Sequence, residues 1–517
     1  MNFNRTKNAK RNIGFGIANR VVTILLPFIV RTAIIYILGV EYLGLNSLFS
    51  SILQVLNLAE LGFGEAIVYS MYKPISEGDE EKISSLLNLF RKIYFLIGAI
   101  IAVVGLALLP FLPHLIHGSY PEGLNLYILY LIYLGNTAIS YWLFAYKSSL
   151  LQALQRNDVV SKIDIVVKLL LNSLQIISLF LFKDYYIYLI IMPLCTVVSN
   201  LYTSHYVNKN FPQYVCKGRI SKGEIESIKH NVIGLSISKV CAISRNSFDS
   251  IFISAFLGLT VTAIYANYYY VMNAVTMLLV ILVNSLSSVV GNSIAQDSKK
   301  KNYDDMMRLN FIYMWIAGWA TTCLFCLYQP FMTMWVGKDY LLGIPTVALL
   351  CSYFYALKTG DVRTVFVQGS GLYWQQRFRA LGEAVCNIAL NWLFVQVMGI
   401  FGVILATLIS LLFFNFYLST KILFKYYFNE YSSKDFYVQH LMYFGLTVLT
   451  VLITYLLTNL VPGSDIFSFI IKALMSMILP ILIWILILNK TSIYQDSLKW
   501  ILSRLNLLRI RRLFLIK

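Results

Sequence analysis

Residues 38–75 read LGVEYLGLNSLFSSILQVLNLAELGFGEAIVYSMYKPI. Between Leu43 and Tyr72 the stretch is apolar, with Asn46, Ser50, Gln54, Asn57, Glu60 and Gly64 returning every three or four positions. That period describes a helix with one polar stripe. What the stripe faces depends on its flanks, and the flanks are apolar too. Runs of about 20 residues, the length that crosses a ~30 Å hydrocarbon core, stand at 13–38, 43–72, 93–112, 124–145, 163–182, 185–207, 232–257, 261–294, 309–336, 341–357, 381–398, 400–420, 438–461 and 466–489. Fourteen spans are expected. With 58% hydrophobic and 13% charged residues at a mean hydropathy of +0.69, 517 residues cannot keep a polar surface around a globule. The fold class is an all-α integral membrane protein.

The net charge of +18 is decided by its placement. Of 42 Lys and Arg, 34 fall in alternate connections and the two tails, and only Lys183 and Lys338 fall in the connections between them. The other six, Arg20, Arg31, Lys168, Lys239, Arg245 and Lys472, lie in spans. This is the positive-inside pattern of an even number of helices with both termini cytoplasmic. The charge is thus an orientation signal, which argues against a nucleic-acid partner. The first run contains Arg20 and lacks a small-residue cleavage site, so it reads as a helix and not as a signal peptide. The external connections are short, and His114, His117 and Glu122 are the single polar cluster among them. A catalytic loop domain is not expected.

A shift of 219 residues lays Asn12–Gly39 on Asn231–Gly258, with Arg20 on Lys239. The helices so matched are an even number apart, which implies a parallel repeat. The expected organisation is an N-lobe of helices 1–6 at 1–207, a cytoplasmic loop at 208–230, a C-lobe of helices 7–12 at 231–424, helices 13–14 at 425–490, and a basic amphipathic tail at 491–517. In the tail, Leu498, Ile501, Leu502, Leu505 and Leu508 alternate with Lys499, Arg504, Arg509, Arg511 and Arg512, suited to an anionic leaflet. Cys323 and Cys326 form a CxxC inside a span, read as helix packing.

Polar residues within spans are costly unless they face protein or water. Beside the stripe at 46–64, the first helix carries Gly16, Arg20, Thr23, Pro27 and Arg31, with its two arginines about 16 Å apart on one face. Asp164, Lys168, Asn172 and Gln175 mark the fifth helix, Lys239, Arg245 and Asp249 the seventh, Asn273, Thr276, Asn284, Ser287 and Gly291 the eighth, and Glu383, Asn387 and Asn391 the eleventh. The stripes predict a common hydrated cavity. Its cations would be Arg20, Arg31, Lys168, Lys239 and Arg245, and its uncharged or acidic polar groups Asn57, Glu60, Asn172, Gln175 and Asn273. The pairs Asp164–Lys168 and Arg245–Asp249 could instead neutralise each other at i,i+4 spacing, and Arg31 and Lys472 could snorkel. Tyr127, Tyr130, Tyr133, Tyr141 and Tyr268–Tyr270 would stack on sugar rings or anchor at the interface.

The motif at 38–75, with Gly39, Gly44, Asn57, Gly62, Gly64 and Lys73-Pro74, resembles the Wzx-type flippases, the polysaccharide-exporter branch of the multidrug/oligosaccharidyl-lipid/polysaccharide (MOP) exporter superfamily. Length and helix plan are similar over the whole chain. The resemblance implies alternating-access transfer of undecaprenyl-pyrophosphate-linked sugar units to the periplasmic leaflet of a bacterial inner membrane, for O-antigen, capsule or lipopolysaccharide. It implies a monomer among membrane lipids, beside polymerase or ligase machinery. Related lipid II flippases carry a sodium site whose positions match Asp249, Glu383, Asn387 and Thr407 here, although this chain has Asn387 and Asn391 where another acid would be expected. No organic cofactor or firm metal site is expected, only Na+ or H+ as a coupling ion. Two other classes compete: a MATE-like cation-coupled drug or metabolite antiporter, which would favour an acidic cavity, and a membrane polymerase or glycosyltransferase. Six intramembrane cations against Glu60, Glu65, Asp164, Asp249 and Glu383 give only a slight basic excess.

Overall fold

The computed structural model describes residues 5–504 apart from 61 and 464, and leaves some side chains within that range, Lys239 among them, outside the description. The tail beyond Arg504, including Leu505, Leu508, Arg509, Arg511 and Arg512, lies outside the described residues. Everything described is helix or connection, and the chain forms two compact units.

The first unit is residues 1–266 with 391–399. It contains α1 (Arg5–Ile37), α2 (Val40–Leu56), α3 (Phe63–Glu77), α4 (Glu80–Ala107), α5 (Leu126–Trp142), α6 (Tyr146–Ala153), α7 (Asn157–Phe182), α8 (Tyr185–Asn210), α9 (Lys222–Leu257) and the start of α10 (Leu259–Gln296). It runs past the expected inter-lobe loop because α9 packs on α2 and α3. Ser247 of α9 donates to Gln54 Oε1 at 2.8 Å. Gly44 lets the backbone of Leu259 approach to a distance that a Cβ would block, 2.3 Å from its carbonyl oxygen.

The second unit holds the rest of α10, α11 (Lys299–Val336), α12 (Ile344–Lys358), α13 (Asp361–Gly369), α14 (Arg377–Ser410) apart from 391–399, α15 (Ser419–Tyr426), α16 (Ser433–Asn459), α17 (Ile466–Leu488) and α18 (Ser492–Arg504). Its hub is α11, which packs on α12, α16 and α17. Cys323 of α11 donates to the Ser476 carbonyl of α17, a packing contact.

Several helices start where polar loop residues cap the chain. Asp79, Asp184, Ser298 and Ser432 each accept from a backbone N–H in the first turn that follows. Among the described residues, nine helices are long and apolar enough to cross a membrane, or ten with α5 and α6 taken as one bent span. One of the nine is the 50-residue run 377–426, which carries two expected spans and breaks between them at Gly399, φ 57°. Three expected spans fall outside that set. The run 341–357 becomes α12, only 15 residues long. The run 232–257 lies in α9 with Lys239, Arg245 and Asp249. The third is 43–72, which is not one helix. It is α2, a 3-10 turn at Asn57–Glu60, and then α3, 17 and 15 residues long. Large apolar side chains such as Phe180, Leu181 and Val397 stay exposed, as a lipid-facing surface requires. The chain is a multi-pass membrane protein.

Candidate functional site

The break in 43–72 builds the site. Backbone groups released at a broken helix must find other partners, and such breaks occur where the chain lines a cavity. Gly62 enters α3 at φ 77°, a left-handed conformation that suits glycine. The break turns Asn57 and Glu60 toward α4 and α5. Tyr94 of α4 donates to Glu60 Oε1 at 2.9 Å, and Tyr141 of α5 donates to Oε2 at 2.6 Å. Tyr141 Oη also lies 3.2 Å from Asn57 Oδ1. Gly64 borders the same corner, its Cα face lying against Tyr94 Oη and Glu60.

A cavity of ≈ 550 Å³ spreads from this corner, bordered by Ser140, Ser148, Ser149, Gln152 and Asn200 beside Asn57, Glu60, Tyr94 and Tyr141. Ser140 and Ser148 donate to backbone carbonyls three residues back, so their oxygens remain acceptors. The rings of Tyr94 and Tyr141 lie 5.6 Å apart and present a tilted aromatic wall. No lysine or arginine is among the described residues that line the cavity. The arrangement can exchange hydrogen bonds with a hydroxyl-rich ligand, or neutralise a cation at Glu60.

Of the residues expected in a cavity, Asn57 and Glu60 line it. Lys168, Asn172 and Gln175 do not: Lys168 and Gln175 are used between helices and Asn172 within its own. Lys168 donates to Asn19 Oδ1 at 3.2 Å and Thr23 Oγ1 at 2.9 Å on α1, and Asn19 reaches Asp164 at 3.4 Å. Asn172 caps the Lys168 carbonyl, and Gln175 donates to the Tyr188 carbonyl on α8. The stripes of the first and fifth helices therefore face each other, because each can satisfy the other in a solvent that offers no hydrogen bonds. Arg20 is exposed on α1, Arg31 is half-buried and Arg245 is buried, none of them among the cavity residues. The side chain of Lys239 lies outside the described residues. Asn273 is half-buried in the second unit.

The candidate coupling groups are all buried. Asp249 accepts from Asn391 at 2.8 Å and from Tyr265 at 3.1 Å, within the first unit. Within the second, Asn387 donates to Thr407 at 2.9 Å, and Glu383 is held by Arg379 at 2.6 Å. Tyr130 and Tyr133 are core residues and not interface anchors, the first donating to the Gly105 carbonyl. Of the tyrosines singled out in the sequence, Tyr141 reaches the cavity. Tyr94, Ser140, Ser149, Gln152 and Asn200 carried no sequence signal of their own. The close spacing of Glu60, Gly62 and Gly64 marked the break that gathers them.

The likeness to known proteins agrees with this architecture. The structure of the lipid II flippase MurJ in an inward closed conformation superposes with a TM-score of 0.64 at 19% identity, covering 92% of this chain and 99% of that one. An inward-facing multidrug resistance MATE family transporter of the MOP superfamily gives 0.60 at 15% identity, covering 76% and 94%. No curated protein matches the chain. Residues 9–288, more than half of the sequence, match the polysaccharide biosynthesis protein family. With the 3-10 turn at Asn57–Glu60 and the start of α3 inside that match, the chain belongs to the polysaccharide biosynthesis protein family.

Proposed function

We propose that this chain is a flippase that moves undecaprenyl-pyrophosphate-linked oligosaccharide units from the cytoplasmic to the periplasmic leaflet of a bacterial inner membrane by alternating access. The observation that carries the reading is the Glu60 cavity in a member of a polysaccharide biosynthesis family. Sugar hydroxyls would donate to Glu60, Asn57 and the serine oxygens, and a ring face would lie on Tyr94 or Tyr141. The polyprenyl tail stays in lipid. Because the described cavity lining holds no cation, the pyrophosphate contact during transit falls to residues beyond it: Arg20 first, then Arg31, Lys239 and Arg245. The product would pass to polymerase or ligase machinery.

Coupling to Na+ or H+ is assigned to Asp249, whose amide and phenol partners suit either a hard cation or a proton. Asn387 with Thr407 is a second oxygen-bearing pair, whereas Glu383 is already neutralised by Arg379. In proteoliposomes with imposed gradients, Asp249→Asn is expected to abolish gradient dependence and Glu383→Gln to preserve it.

The test is the lipid-linked saccharide pool of a strain deleted for this gene. The complete unit should accumulate facing the cytoplasm, cured by wild type but not by Glu60→Gln or Arg20→Ala. One observation favours a second reading. A carboxylate without a cation in its cavity also fits a MATE-like antiporter, and an unchanged pool with drug resistance on overexpression would select it.

A further inference from the structure

A second concavity of ≈ 410 Å³ lies along α7 and α8, apart from the Glu60 cavity in its lining residues. Its wall is aliphatic, with Val166, Leu170 and Val198 exposed along it. Its mouth is basic: Arg11, Arg156 and Lys162 gather there on a single carboxylate, Asp158. Arg11 meets Asp158 at 2.5 Å, Arg156 at 3.0 Å and Lys162 at 4.0 Å.

The burial is unequal in an informative way. The Asp158 side chain is 1% exposed, while those of Arg11, Arg156 and Lys162 are 36%, 25% and 43% exposed. The negative charge sits inside and the cations face out, leaving an excess of two positive charges at the end of a greasy groove. Arg156 is steadied by Tyr206 at 3.2 Å, and Lys162 lies 4.4 Å over the ring of Phe15. All three cations belong to the positive-inside set, so the mouth is at the cytoplasmic leaflet on that reading. A lipid that brings two adjacent negative charges on a long aliphatic chain complements this shape. A pyrophosphate diester does so, whereas an ordinary phospholipid head offers one phosphodiester charge.

We propose that the α7–α8 groove is a loading site, where the pyrophosphate and first prenyl units of the lipid-linked substrate dock in the cytoplasmic leaflet before the sugars enter the cavity. The inference rests on the flippase reading. Arg11 ties α1 to α7 through Asp158, and Arg156 joins Asp158 to Tyr206 of α8, so the informative variants are the others. Lys162→Ala removes the cation that stands farthest from Asp158, and Val166→Trp fills the groove with every charge kept.

Native mass spectrometry of the purified full-length protein, titrated separately with undecaprenyl pyrophosphate and phosphatidylglycerol, tests the site. Wild type should retain one undecaprenyl pyrophosphate at a concentration about tenfold below that needed for phosphatidylglycerol, and each variant should erase most of that preference. Glu60→Gln should leave it intact. Equal retention of the two lipids would make this a general anionic-lipid contact and overturn the proposal. So would undiminished preference in both variants, or loss of preference in Glu60→Gln alone. Translocation of the complete unit by wild type without selective retention would sink the loading site and spare the flippase; absence of translocation would sink the flippase reading whatever the lipid titration gives.

Discussion

Two polar sites, one in each unit, are built in opposite ways. In the first, the Glu60 carboxylate is held by two phenols beside an open cavity, with no cation in the described lining. In the second, Arg363 is 1% exposed and donates to the Phe416 carbonyl at 3.0 Å, Thr420 at 3.1 Å and Asn415 at 2.5 Å. Lys358, equally buried, meets Asp361 at 2.9 Å, and Tyr313 donates to the same carboxylate at 2.5 Å. The second set is held by neighbouring partners and braces α13 against the π-helical turn Leu411–Leu418. A buried charge in a membrane protein is thus a pointer to function where its environment leaves room for a ligand, and a structural rivet where neighbours already fill that room.

The contrast can be broken experimentally. Arg363→Met should strip three hydrogen bonds from one packed place and cost about 3 kcal/mol of stability, read as a lowered melting temperature, while translocation per folded molecule is kept. A loss of translocation in protein that melts like wild type would move Arg363 from brace to mechanism. Glu60→Gln should do the reverse, lowering translocation about tenfold or more for loss of charge-assisted hydrogen bonds, with little change in melting. Tyr141→Phe should follow it in direction with a smaller effect. Lys168→Met removes the tie to Asn19 and Thr23 and should cost about 1–2 kcal/mol with translocation intact. If instead it abolishes translocation in stable protein, the seam between α1 and α7 opens during the cycle and the line drawn here between site and brace is wrong.

The smallest effect is at an exposed pair of side chains. Lys82 and Glu224 form an ion pair between α4 and α9. The hydrogen bond from Lys82, with a second from Ser221, holds the Glu224 carboxyl below its usual range. A depressed folded-state value means that the contribution is present above the unfolded carboxylate range and lost as pH falls through the folded one. Both side chains are largely exposed, so the contribution is weak. Melting curves from pH 7 down to 4 should show a slightly steeper loss for wild type than for Glu224→Gln, and parallel curves would show the pair to be inert.

The stripe at 46–64 predicted a helix with one polar face, and Asn57 and Glu60 border a cavity, but the helix did not run through. A period of 3.6 residues cannot report a break, because the residues on either side keep the same pattern. Gly62 and Gly64 carried the only local hint. Likewise, the stripe Asp164–Lys168–Asn172–Gln175 was legible as polar, while its use against Asn19, Thr23 and Tyr188 was not, since spacing along one helix says nothing of which neighbour it meets.

The sequence by itself determined that the chain crosses a membrane many times as helices, because apolar length and the placement of charge are local quantities set by the bilayer. It also marked which helices carry polar faces. Only the tertiary structure decided which of those faces meet one another and which border open space. A buried polar group has to be satisfied by whatever lies opposite it, and what lies opposite Glu60 is Tyr94 and Tyr141, 34 and 81 residues along the chain.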